Sequence, residues 1–116
     1  MKVLLTATSL HPEYGGPAYS VSRLAIALSG TGVSIGLWSA DDSATATPLL
    51  PASSRIERLT GSAAHAFHAF GADIVHDNGM WLPHNHRFAK LAVAHRIPRV
   101  VSTRGMLQPW AIGHKR

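Results

Sequence analysis

VLLTATSLHPEYGGPAYSVSRLAIAL, residues 3–28, is the stretch whose reading decides the fold. Its first five residues, Val3–Ala7, predict a buried strand. The paired glycines Gly15 and Gly16 and then Pro17 follow. A helix is predicted over Ala18–Ser29, because Val21, Leu24, Ala25 and Leu28 recur at i, i+3, i+4, i+7 on one face. Adjacent glycines admit backbone dihedrals that other residues resist and let another group approach closely. A proline just after them suits the first turn of a helix. The unpaired N–H groups of such a helix start form a site for a phosphate or another anion. The plain alternative is a tight strand-to-helix turn that holds nothing.

The alternation continues downstream. Gly30 and Gly32 end the helix, and Val33–Trp38 is a second strand of β-branched and bulky residues. Residues 39–54, rich in Ser, Ala, Thr, Asp and Pro, read as a loop with at most one short extended piece. Arg55–Leu59 predicts a short strand, Gly61–Phe70 a short helix, Asp73–His76 a strand, Asn85–Arg96 a third helix and Arg99–Ser102 another strand. Strands alternating with helices call for an α/β fold: a Rossmann-like parallel sheet with helices on both faces, in one domain over residues 1–116. Ligands of such sheets lie beyond the carboxyl ends of the strands. The Gly-Gly loop, Asp77-Asn78-Gly79 and Thr103-Arg104-Gly105 all follow strands, so all three are expected on one rim.

Composition narrows the function classes. Apolar residues make up 46% and charged residues 15% of the 116, which indicates a folded protein rather than a disordered one. Cysteine is absent, so disulfides and thiolate metal sites are excluded, in keeping with a cytoplasmic protein. The apolar core of the first residues is too short for a secretory signal, and no run approaches the ~20 residues that span a bilayer, so a soluble chain is expected. The net charge of +5 is uneven: from residue 84 onward there are seven Lys/Arg and no acid. Such a basic segment suits phosphorylated ligands or anionic lipid, or is simply a solvated helix face and tail. With few aromatics among these charges and no recognition-helix or zinc-finger pattern, nucleic acid is not expected as a partner.

Eight histidines invite a metal reading. His65 and His68 share a helix face at i, i+3, but His84 and His86 at i, i+2 do not, and no HExxH pattern occurs, so no metal site is expected.

Three stretches taken together, HPEYGGPAYSV (11–21), DIVHDNGMW (73–81) and IPRVVSTRGMLQPWA (97–111), carry a resemblance. In order and spacing they resemble the amino-terminal domain of retaining glycosyltransferases of the GT-B fold, the group-one or family-four type, closest to those that build bacterial surface polysaccharides. Such enzymes have two Rossmann-like domains. The first mostly holds the acceptor; the second holds the nucleotide sugar and supplies a glutamate pair. The resemblance implies that Gly15 and Gly16 lie against the donor phosphates as the cleft closes, where backbone N–H groups stabilise charge on the leaving diphosphate. It implies an acceptor rim of Glu13, Tyr14, His76, Asp77, Asn78, Trp81 and Arg104. For several of these a bland role stays open: a solvated carboxylate for Glu13, a structural histidine for His76, a plain turn for Asp77-Asn78-Gly79, and core filling for Trp81 and Trp110.

Two departures from the family stand out. Where many members have a histidine after the strand at 100–103, this chain has Arg104, which holds oxygens but moves no proton at neutral pH. Asp77 replaces a usual aliphatic residue and is expected to bond sugar hydroxyls. The chain also ends before such a domain would be complete, without the donor domain. It therefore reads as a fragment, a remnant reading frame or a cut piece, inactive alone. The substrates implied are a nucleotide sugar and a saccharide or lipid-linked acceptor, with no cofactor and with contact to the inner face of the membrane through the basic end. The alternative is a non-catalytic binding module whose uncovered sheet edge makes it self-associate or swap elements.

Overall fold

Residues 1–51, 55–79 and 82–102 are described by a computed structural model. Five strands form one all-parallel sheet: β1 (Lys2–Ala7), β2 (Ser34–Ser39), β3 (Glu57–Arg58), β4 (Ile74–Asn78) and β5 (Arg99–Ser102), in the spatial order β3-β2-β1-β4-β5. Helix α1 (Gly16–Ser29) joins β1 to β2, α2 (Ala63–Phe70) joins β3 to β4, and α3 (Pro83–Ala94) joins β4 to β5. The expected α/β, Rossmann-like arrangement is what the chain adopts.

Strand β1 is central because its residues are apolar on both sides, as a strand covered on both faces must be. Val3 and Leu5 face α1, meeting Val21 and Ala25, while Leu4 faces α2 and α3, meeting Phe67 and Phe88. Leu4 pairs with Gly36 of β2 on one side and Val75 of β4 on the other. Gly36 makes room for Phe70, which is 3% exposed: a Cβ there would stand 2.8 Å from the ring.

Several boundaries differ from the sequence reading, each for a local reason. Helix α1 starts at Gly16, not Ala18, since Pro17 already holds a helical φ and Gly15 serves as the cap. Helix α2 starts at Ala63 because the Ser62 side chain accepts the His65 N–H. The 39–51 loop contains a 3-10 turn, Ser43–Thr45, rather than an extended piece, and residues 52–54 lie outside the described residues. Strand β4 runs on to Asn78, because Asp77 and Asn78 pair with Val101 and Ser102 of β5.

Helix α3 runs from Pro83 to Ala94 instead of from Asn85 to Arg96. At its end Arg96 takes a left-handed φ of 56°, and the Ile97 N–H bonds back to Ala92 O. That is a glycine-type helix stop made without glycine, so no letter announced it. Arg96→Gly is therefore expected to raise stability by about 1 kcal/mol. The check is a higher denaturant midpoint at unchanged slope; an unchanged or lower midpoint would show that the backbone there is not strained.

Candidate functional site

The strand order reverses at β1. The chain steps outward from β1 through β2 to β3, then returns to the other side of β1 for β4 and β5. Between the carboxyl ends of β1 and β4 the two connections therefore leave in opposite directions and open a crevice, the usual ligand position in such sheets. A pocket of about 150 Å³ lies there, lined by Ala7, Thr8, Ser9, Tyr14, Pro17, Val21, Asn78 and Gly79.

The loop that carries the glycine pair forms one wall through Tyr14 and Pro17, while Gly15 and Gly16 lie between them and do not border the pocket themselves. After β1 the chain makes a 3-10 turn, Pro12–Tyr14, and the Gly15 N–H bonds to Pro12 O at 3.2 Å. Gly15 has φ 95° and ψ −148°, a combination open essentially to glycine alone. This turns the chain directly into α1. The anion capacity of the helix start is smaller than its sequence suggests. Pro17 has no N–H, and Gly15 O accepts from both Ala18 and Tyr19. Among the described residues, Gly16 is left as the first-turn N–H with no acceptor. Neither Gly15 nor Gly16 faces any atom within 4 Å of where a Cβ would stand.

The floor is a buried polar network, and it corrects the expectation for Asp77. Asp77 is 0% exposed and lies below the rim. Its Oδ1 accepts from the Thr6 hydroxyl and from Asn85 Nδ2 at 2.7 Å, and its Oδ2 pairs with Arg99 Nη2 at 2.6 Å. The carboxylate is thus committed to β1, α3 and β5. The cause is the extra length of β4: pairing with β5 holds Asp77 inside the strand. Asn78 is also in the strand, with Nδ2 donating to Thr6 O at 2.9 Å, yet it borders the pocket. His76 is half-buried, its Nε2 2.7 Å from Ser102 Oγ.

The remaining expected residues divide simply. Glu13 and Tyr14 are exposed on the 3-10 turn, and Tyr14 borders the pocket. Trp81, Trp110 and Arg104, with Thr103 and Gly105, lie outside the described residues. The sequence reading missed Thr6, Asn85 and Arg99 as a group. One signal was present: Asn85 shares the inward face of α3 with Phe88 and Ala92, and a polar residue on an apolar stripe needs a buried partner.

A second opening lies on the α2/α3 face, beyond the end of β2. It has a volume of about 370 Å³ and is bordered by Trp38, Ser62, His84 and Arg87 among others. Burial lowers the His84 pKa from its ordinary value, while the Asp77 carboxylate acts in the raising direction. Elsewhere, Asp41 in the 39–51 loop feels burial, which raises its pKa. Hydrogen bonds led by the Ser43 hydroxyl outweigh this and hold it below the usual carboxylate value.

Among the described residues no group of three or more His, Asp or Glu is placed to hold a metal ion, and no helix is long and apolar enough to cross a membrane. No protein-family model, curated protein or solved structure matches the chain.

Proposed function

We propose that these residues form the acceptor-side part of a GT-B glycosyltransferase that moves a sugar from a nucleotide sugar to a saccharide or lipid-linked acceptor. The supporting observation is the crevice at the strand-order reversal, where the glycine loop and the end of β4 face each other across a pocket. Two of the three stretches that carry the family resemblance meet at that point.

In this reading the Gly16 N–H, Tyr14 and Asn78 meet the reacting end of the substrates. Asp77 acts from beneath by holding the end of β4 in place. The pocket volume suits one phosphate or one edge of a sugar ring, so these residues are assigned positioning, while proton transfer and most of the donor grip belong to a second domain. The membrane contact of the basic segment is part of the same proposal.

Gly16→Ala gives a selective test. A Cβ there meets no protein atom and Gly16 is not in the left-handed region, so the unfolding midpoint is expected to stay unchanged. Ligand contact at the Gly16 N–H should suffer. Amide shift mapping with a panel of saccharides and nucleotide sugars is expected to move Tyr14–Gly16 and Gly79, with affinity reduced roughly tenfold in the variant. No response at those amides from any of these ligands would sink the assignment.

A further inference from the structure

The cleft over Trp38 is separate from the crevice at the strand-order reversal, and it has a one-sided chemistry. Arg87, exposed on α3, makes no hydrogen bond or ion pair with the described residues. Ser62 Oγ accepts from the His65 N–H, and its own O–H makes no hydrogen bond to the described residues and is left to donate. His84 Nε2 is buried without a partner among the described residues.

Trp38 contributes a wall and no free donor, because its Nε1 donates to Gly61 O at 3.0 Å. Among the described residues no carboxylate borders the cleft. Asp42, on the adjoining loop, is engaged by Thr60 Oγ1 and the Gly61 N–H. The cleft therefore presents a guanidinium, a hydroxyl proton and an unpartnered imidazole, with no carboxylate among the described residues that line it. Arginine in such a setting selects a planar or tetrahedral oxyanion.

We propose that this cleft, formed by Trp38, Ser62, His84 and Arg87, binds a phosphoryl group. Its volume of about 370 Å³ exceeds what phosphate alone occupies, leaving space for the moiety that carries it. The inference stands independently of the transferase reading, since none of these residues borders the crevice between β1 and β4.

The test follows the His84 ring resonances of the chain during titration with inorganic phosphate, against chloride at matched ionic strength. Phosphate is expected to give a saturable shift and to raise the lowered His84 pKa, because a bound dianion favours the imidazolium. Arg87→Gln and Ala40→Asp both change exposed positions bordering the cleft. Each is expected to weaken phosphate binding at least tenfold with unchanged circular dichroism and melting. A matching shift with chloride, or wild-type affinity in both variants, overturns the proposal. Glucose 1-phosphate distinguishes the sources: tighter binding than inorganic phosphate identifies an ester as the ligand, and equal binding identifies free phosphate.

Discussion

Replacing Asp77 by alanine is expected to destabilise the protein by about 3–5 kcal/mol, the range for removing one partner of a buried ion pair. The loss would come from the groups left behind. The Arg99 guanidinium, the Thr6 hydroxyl and Asn85 Nδ2 all bond to this carboxylate, which is 0% exposed. Against a total stability of about 5–15 kcal/mol, that is a large share. The thermal midpoint should fall by at least about 10 °C. Adding Arg99→Leu to Asp77→Ala should recover part of the loss by removing the stranded charge, a coupling that a double-mutant cycle reads directly. A loss below about 1 kcal/mol would mean that the network does not hold β1, β4, β5 and α3 together.

Phe88→Ala is expected to cost a similar amount, about 3–5 kcal/mol, through lost burial and the cavity it leaves. Phe88 is 0% exposed and meets the Trp38 ring edge to face, with centroids 5.1 Å apart at 74°. On the same tryptophan, the His84 ring lies 5.5 Å away. The damage should therefore reach the α2/α3 cleft as well as the core. The Trp38 Nε1–H resonance, reporting its bond to Gly61 O, is expected to shift and broaden, while amides of α1 on the opposite face stay nearly unmoved. If α1 responds as strongly as Trp38, the two faces are not the separate packing layers described above.

Much of the fold was legible because the informative residues act locally. The apolar run of β1, the spacing of Val21, Leu24, Ala25 and Leu28, and the β-branched Ile74 and Val75 each report a period that one element imposes. The position of the crevice followed from the same alternation, since the carboxyl ends of parallel strands share one rim. The fate of Asp77 was not legible. Its burial depends on Arg99, 22 residues later, and on Thr6, 71 residues earlier. Nothing in the letters Asp-Asn-Gly distinguishes a turn from a strand end that β5 extends. The stop at Arg96 was hidden for another reason: the backbone bonds from Arg96 N–H to Val93 O and from Ile97 N–H to Ala92 O hold a non-glycine residue in a glycine conformation. At the glycine pair the sequence overstated the anion site, because it does not show Gly15 O consuming the next two N–H groups.

The two adjacent glycines also differ in handedness. At Gly15, φ 95° and ψ −148° are the mirror image of an ordinary extended residue, so a D-amino acid would fit there and an encoded L-amino acid would not. Gly16 carries no such restriction, and open space surrounds it. Genetic variation in this loop beside the crevice is thus channelled to one of two neighbouring codons. Position 15 preserves the turn, and position 16 is where new side chains can be tried without disturbing the fold.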